Sequence, residues 1–451
     1  MGYGKTSAMI NFMNQEGNSR RFVFVTPFID EGKRIKDACP YLDFQTPEAY
    51  DDPNNQDGTP RSKLIDFKKF LRSAKNIVTT HALFERFDQE TTQLIIKGGY
   101  TLIMDEVANV ATKHNVSPKD ARTILNVFTD QDDLGKMTWK ETEDDYWGTF
   151  DKARGLCDIG SLWKYRDTVI LKLIPVNAFR AFDDVFIMTY MFEAQLHSAY
   201  FKLFGIPYEY IYVTGDSLES YRITDIKQKY SIPGLKDLMD ICDDRRLNLI
   251  GEDNERYDLS VGWYEKEGNR ALVKAISNNV YSYFRHKQHA SSNQVLWTCF
   301  RKRDKPGEES VARPPYFTPH SFSSGFLACN SRATNAYRDR TVLAYPINRF
   351  LAPEIKNFFA ERDISIDIDQ WALSEMIQWI WRSAIRDGKK ISIYIPSARM
   401  RSLLEKWIDE VSSGVVGGAV GTTVSPNHYA ARDEEASAAK EITYEKQAIN
   451  M

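Results

Sequence analysis

The start of the chain places a glycine, a lysine and two hydroxyls together as Gly4-Lys5-Thr6-Ser7. Backbone N–H groups beside glycine approach phosphate closely. A lysine there reaches the β- and γ-phosphates, and the next hydroxyl ligates Mg²⁺. The stretch Met1-Gly2-Tyr3-Gly4-Lys5-Thr6-Ser7 carries the end of the pattern G-x-x-x-x-G-K-[ST]. Gly2, Gly4, Lys5, Thr6 and Ser7 are therefore candidates to hold the phosphates of a nucleotide. The first glycine of the pattern and its feeding strand would lie before residue 1, so the expectation is a chain cut within its loop. The same residues fit Met-Gly-x-x-x-Thr, a myristoylation pattern. No polybasic patch or second lipid signal adjoins it, and one acyl chain anchors only marginally.

Hydrolysis needs carboxylates facing such a loop, and Tyr100-Thr101-Leu102-Ile103-Met104-Asp105-Glu106 offers two at the end of an apolar run. Asp105 would hold Mg²⁺ with Thr6, and Glu106 would polarise the attacking water. A helix N-terminus also favours acids, but the upstream phosphate loop makes the chemical reading the stronger one. A third set is Gln378, Arg382 and Arg386, spaced i, i+4, i+8 on an expected helix from Trp371 to Arg386. That helix has Asp369 as N-cap and Gly388 as stop. Its arginines would grip a γ-phosphate from across a cleft. Trp379, Trp381, Ile377, Ile380 and Ile385 make it largely apolar, so arginines within it call for a dedicated partner.

Positioning these groups requires short buried strands that alternate with helices. A helix at 5–14 follows the loop. Arg21–Pro27, Asn76–His81, Tyr100–Glu106 and Phe186–Tyr190 read as strands of a parallel sheet with sites at their C-terminal ends. Thr189 sits where a hydroxyl would relay between nucleotide and nucleic acid. Residues 115–175 are irregular, with an acidic, Trp-rich stretch from Trp139 to Trp147, and read as an insertion or partner surface. Helices are expected at 234–242 and 270–286. A second α/β unit follows, with strands at 294–300, 325–329, 341–345 and 391–396, and a polar segment, Asn330 to Tyr337, at a strand end. Residues 412–436, rich in Gly, Ser, Ala and Thr, read with the charged end as a flexible tail.

Composition agrees with a globular multidomain chain. It has 451 residues, 42% hydrophobic and 27% charged, and its net charge of −3 supplies no global attraction for nucleic acid. No apolar run approaches the roughly 18 residues of a membrane span. Cys39, Cys157, Cys242, Cys299 and Cys329 lie far apart and suggest neither zinc nor a disulfide framework. The cytoplasm, or a host's cytoplasm for a phage protein, fits best.

In this order the motifs resemble a superfamily-two DNA helicase of the DEAD/DEAH-like kind, as encoded by phages and prophages. Gly2 to Ser7 matches the end of Walker A. Val25-Thr26-Pro27-Phe28, with Glu31 and Arg34, looks like the second motif, and Thr79-Thr80-His81 like the next. Asp105-Glu106 is similar to Walker B, Thr189-Tyr190-Met191 stands in place of Ser-Ala-Thr, Arg332-Ala333-Thr334-Asn335 looks like motif five, and Gln378 to Arg386 like motif six. The resemblance spans roughly residues 1–405 and lies in the ordered set. Departures are Met191 for a hydroxyl, Trp381 for a glycine, and Arg386 one residue later than usual; Asp105-Glu106-Val107-Ala108 names no subfamily.

The resemblance implies an α/β fold of two RecA-like P-loop domains in tandem, each a mostly parallel sheet flanked by helices. The first covers 1–214, a connecting helical segment 215–290, the second domain 291–411, and the tail 412–451. It implies ATP and Mg²⁺ bound between the lobes, with Glu106, Arg382, Arg386 and Gln378 in catalysis. Thr26, Pro27, Thr79, Thr80, His81, Thr189, Thr334 and Asn335 would contact or couple to single-stranded or forked nucleic acid, DNA ahead of RNA, by a sequence-independent mode. Replication or recombination proteins would be partners, and no membrane is involved. Two alternatives stay open: a terminase-like packaging ATPase, and a non-catalytic nucleic-acid-binding remnant.

Overall fold

The computed structural model describes residues 4–27, 29–49, 62–143, 148–227, 231–252, 257–302, 313–331, 335–413 and 421–424. Gly2 and Thr334 lie outside them. The first lobe begins with α1 (Lys5–Glu16), β1 (Arg21–Thr26), α2 (Ile29–Ala38), α3 (Lys63–Arg72), β2 (Ile77–Thr80), α4 (His81–Phe84), α5 (Gln89–Gly98) and β3 (Tyr100–Asp105). An inserted subdomain follows, with β4 (Ala111–Lys113), α6 (Pro118–Thr123), β5 (Thr129–Gln131), β6 (Met137–Trp139), α7 (Asp151–Asp158), β7 (Leu162–Arg166) and β8 (Val169–Leu173). The lobe resumes with α8 (Asn177–Arg180), β9 (Asp184–Met188), α9 (Leu196–Leu203), β10 (Glu209–Thr214) and β11 (Arg222–Thr224).

The continuous apolar runs become strands covered on both faces. Phe22, Phe24 and Ile103 pack with Met9 and Met13 of α1. Val23, Val25, Leu102 and Met104 point the other way, into the main core. This is the period-two alternation of a strand inside a parallel sheet. Each such side chain stabilises the fold by about 1.5–3 kcal/mol relative to exposure. Helix ends are set by local chemistry. Asp88 caps α5 by accepting from Thr91 N at 2.9 Å, and Gly99 ends it at φ 62.

The second lobe runs α10 (Leu235–Leu238), β12 (Met239–Ile241), α11 (Arg245–Glu252), α12 (Val261–Glu265), α13 (Arg270–Ser282), β13 (Val295–Trp297), β14 (Val342–Ala344), α14 (Pro353–Ala360), α15 (Ile368–Ile380), β15 (Ile391–Tyr394) and α16 (Ala398–Ser413). Its four-stranded sheet has the order β12-β15-β14-β13, with every pairing parallel. The α/β fold of two tandem sheets flanked by helices is therefore present: the second sheet is wholly parallel, and the first is parallel across β9-β3-β1-β2 and antiparallel beyond β9. One apolar core runs from lobe to lobe, and the insertion has a small core of its own around Leu125, Trp139 and Leu162.

Several local expectations change. Residues 215–290 do not form a separate connector: β11 pairs with β10, and β12 pairs with β15. The expected helix at 234–242 is one turn, after which Met239 to Ile241 join the sheet. Residues 325–329 do not form a strand. A short turn at Ser323–Gly325 leads into a single bridge between Phe326 and Trp297. Helix α15 is capped by Asp367, whose Oδ1 accepts from Asp369 N at 2.9 Å and Gln370 N at 3.0 Å, and not by Asp369.

The largest departure is at the C-terminus. A strand β16 (Gly421–Val424) lies antiparallel between β9 and β10 in a seven-stranded sheet ordered β11-β10-β16-β9-β3-β1-β2. Thr422 sits opposite Ile187 on one side and Tyr210 on the other. A segment expected as tail thus ties the second lobe back to the first and closes the gap beside β9. Ending the chain after Ser413 removes this ladder. Hydrogen exchange should then show lost protection at 185–187 and 209–211; unchanged protection would mean the sheet does not depend on β16.

Candidate nucleotide cleft between the lobes

Gly4 is the N-cap of α1 at φ 66 and ψ 17, a left-handed conformation that disfavours any side chain. A Cβ there would also lie 2.5 Å from the ring of Tyr221. No side chain caps α1 and no acid occupies its first turn, so its N–H groups and dipole remain available to an anion. Gly4, Lys5, Thr6 and Ser7 line a cleft of about 330 Å³. Lys5 has its ammonium pushed below the usual range by burial, against the opposing pull of Asp105 and Glu106.

Strand β3 delivers the carboxylates. Asp105 stands opposite Met188 of β9, and the Glu106 N–H donates to Met188 O at 3.2 Å. Glu106 has φ 60, a strained conformation for a residue with a side chain, costing about 1–3 kcal/mol. His81 Nε2 lies 3.1 Å from the carbonyl of Asp105 and fixes the strand end. The Asp105 carboxyl is raised from 3.8 to about 7 by burial first, then by Glu106 and Glu31.

The second lobe supplies the arginines. Helix α15 stops at Ile380, Ser383 is extended at ψ −172, and a short turn covers Ala384–Asp387. Gln378, Arg382 and Arg386 therefore do not share one continuous helix face; the break turns each guanidinium separately. All three still line the cleft. Arg382 Nη2 donates to Glu106 Oε1 at 2.6 Å, with the side chains only 8% and 20% exposed. Arg386 Nη1 donates to Asn335 Oδ1 at 2.7 Å, and burial and the nearby Arg382 and Arg338 press its charge downward. Gln378 Nε2 is buried with no partner among the described residues.

Other expected residues are placed differently. Thr189 is buried and lines the cleft. Thr26 and Thr79 are buried as whole residues, so neither presents its hydroxyl or its backbone at the surface. Thr79 and Thr80 border a separate pocket of about 20 Å³, and Pro27 is half-buried. Asn335 is exposed and lines the cleft.

Glu31 and Arg34, which the resemblance puts in the second motif without a stated role, are paired at 2.5 Å and face the cleft from α2. Tyr190 links the lobes: its hydroxyl accepts from Trp407 Nε1 at 3.0 Å, and Trp407 meets Trp381 edge-on at 5.4 Å. Gln195 Nε2 donates to Ser374 Oγ at 2.9 Å across the same interface. Nothing in the sequence marks Leu218 or Tyr221.

The cleft fits Mg²⁺ and a triphosphate. Asp105 is a half-buried carboxylate whose charge a cation would relieve, and Lys5, Arg34, Arg382 and Arg386 line the same cleft, where phosphate charge would lie. Among the described residues no group of three or more His, Cys, Asp or Glu gathers to hold a metal. The metal would thus rest on Thr6, Asp105 and the phosphates, as Mg²⁺ does where few protein ligands are offered.

Residues 234–408 match the family described as the YonV C-terminal Rossmann-like domain. The SPbeta prophage-derived uncharacterized protein YonV of Bacillus subtilis (strain 168) is 35% identical over 417 residues, 91% of this chain and 97% of that protein. The structure of S. tokodaii Xpd4 aligns over 90% of this chain and 92% of its own at 11% identity, with a TM-score of 0.40, too slight a likeness to argue from.

Burial makes Asp105 a pH probe. Its folded pKa lies above its ordinary value, so the fold loses stability as pH rises from about 4 to about 7, and the loss is complete above that. Thermal melting of Asp105→Asn without ligand should show a gain over wild type that grows across that window and then levels. A gain independent of pH would contradict the raised carboxyl.

Proposed function

The chain belongs to the YonV family, and we propose that it is an ATP hydrolase of helicase type, working between its two lobes on nucleic acid. The observation that carries this reading is the convergence of α1, the β3 carboxylates and the arginines of the second lobe on one cleft. A phosphate loop alone would support binding. A carboxylate and arginines from a second lobe supply what hydrolysis adds.

The β- and γ-phosphates lie on the N–H groups from Gly4 to Ser7, and Lys5 reaches both; Gly2, a candidate by its motif, is outside the described residues. Thr6 and Asp105 would hold Mg²⁺, which would supply positive charge against the phosphates. Glu106 takes a proton from the water that attacks the γ-phosphorus. The bond from that phosphorus to the β–γ bridging oxygen breaks, leaving ADP and phosphate. Arg382 and Arg386 counter the charge spread over the γ-oxygens, and Gln378 orients the water. For Arg382 to do so it must leave Glu106, which frees the carboxylate to act as base. Triphosphate binding and activation of the base are thereby one exchange of partners.

Such an exchange at a lobe interface gives a two-state element. Tyr190, Trp407 and Trp381 connect the end of β9 to the residue before Arg382. Opening and closing would shift a single strand across the lobes, past Pro27, Thr80 and His81, with Thr26 and Thr79 reached only if the lobes rearrange, and with Thr189, Thr334 and Asn335 coupling it to the cleft. A prophage-derived relative fits a phage setting; action in replication or recombination, on DNA ahead of RNA and in the host cytoplasm, belongs to the proposal alone. No helix among the described residues is long and apolar enough to cross a membrane.

ATP hydrolysis should rise several-fold with single-stranded DNA. Glu106→Gln should lower turnover by about 100-fold or more while nucleotide binding persists. A Glu106→Gln protein that still turns over rejects Glu106 as the base, and hydrolysis indifferent to nucleic acid rejects the motor.

A further inference from the structure

The polar end of the cleft is accounted for by phosphate, metal and water. Its other end is formed by the loop between β10 and β11, which carries an apolar wall with no role so far. Leu218 and Tyr221 line the cleft from this loop, beside Gly4. Leu218 is 66% exposed, an apolar side chain held open at the rim.

The loop is built rather than loose. Asn11, two turns along α1, donates its side-chain amide to Leu218 O at 2.9 Å and to Tyr221 O at 2.8 Å. Ser220 Oγ accepts from the N–H groups of Asp216 and Ser217 at 3.0 and 2.9 Å. Gly215, at φ 112, turns tightly against the Ser220 carbonyl, where a Cβ would meet the oxygen at 2.5 Å. Helix α1 thus presents the phosphate-binding amides at its start and, through Asn11, sets the loop that faces them. An aromatic ring with an aliphatic side chain next to it, fixed at one end of a charged phosphate cleft, suits a flat, apolar group covalently tied to the phosphates.

We infer that Tyr221 and Leu218 form the nucleobase wall of the cleft, so that the base of a nucleoside triphosphate packs on the Tyr221 ring and against Leu218. The inference rests on the reading of the cleft as a triphosphate site and adds the part that distinguishes a nucleotide from bare polyphosphate. Stacking on an aromatic ring tolerates any base, because every base has a π-face. The wall therefore selects nucleosides as a class. The Tyr221 hydroxyl is not required for this, and the ring is.

The test is calorimetric titration of the full chain with Mg²⁺ and either ATP or inorganic tripolyphosphate. Wild type should bind ATP about tenfold or more tightly than tripolyphosphate, the fold-change of one stacked base. Tyr221→Ala and Leu218→Ser should lose most of that preference and keep the tripolyphosphate affinity, while Tyr221→Phe keeps both. If Tyr221→Ala does not fold, Leu218→Ser decides, since that side chain is mostly in solvent. An unchanged ATP preference in these variants overturns the inference and leaves the cleft reading standing. An equal loss for both ligands also overturns it, because the ring would then only brace Gly4. A wild-type protein that binds neither ligand overturns the cleft reading itself.

Discussion

The ion pair between Arg382 and Glu106 is the constraint on which the rest of the arrangement turns. It joins residues 276 apart in the chain, one from each lobe, at 2.6 Å in a site with little solvent. Removing either partner would leave a largely desolvated charge, a cost well above that of a surface salt bridge. Each end needs special backbone to reach the other. Glu106 adopts a left-handed conformation just past β3, and Arg382 stands where α15 has ended and the chain turns. The contact is therefore flanked by a left-handed residue at one end and a helix break at the other.

The surroundings make the pair exchangeable. Lys5, Arg34 and Arg386 add positive charge around it, and Asp105 carries a raised carboxyl beside it. A triphosphate with its metal would satisfy all of these groups together, and the guanidinium would pass from carboxylate to phosphate. Other links between the lobes lie away from this switch. The inserted subdomain rests on and just beyond α14 through Lys113 to Glu354 at 3.2 Å and through the Arg166–Glu361 pair, with Trp163 edge-on to Phe358. Strand β16 ties the chain end into the first sheet. The lobes can therefore exchange partners at the cleft while held elsewhere.

The legible parts of the sequence were those governed by local pattern. The run from Tyr100 to Met104 could only be a strand buried on both faces, and its acidic end followed from that. Gly4-Lys5-Thr6 announced its own chemistry. Arg382 was found because an apolar helix has no other use for a charge. The path of the chain near Arg382 was not legible, because the break at Trp381 to Ser383 depends on tertiary contacts such as Ala384 N to Arg340 O at 2.9 Å. Residues 325–329 look like a strand by composition but, among the described residues, have no bridge partner beyond Trp297. Tyr221 is one tyrosine in a polar loop, and only the packing against Gly4 gives it meaning. The residues of 421–424 carry little hydrophobic signal, and their place between β9 and β10 is seen only in the sheet.

The most direct measurement is a double-mutant cycle on single-turnover ATP hydrolysis with Glu106→Gln, Arg382→Ala and the two combined. If the two side chains exchange partners as one unit, each single change should slow hydrolysis by about 100-fold or more and the double change should be scarcely slower than either. Losses that multiply in the double variant would show the two acting independently and would contradict the account.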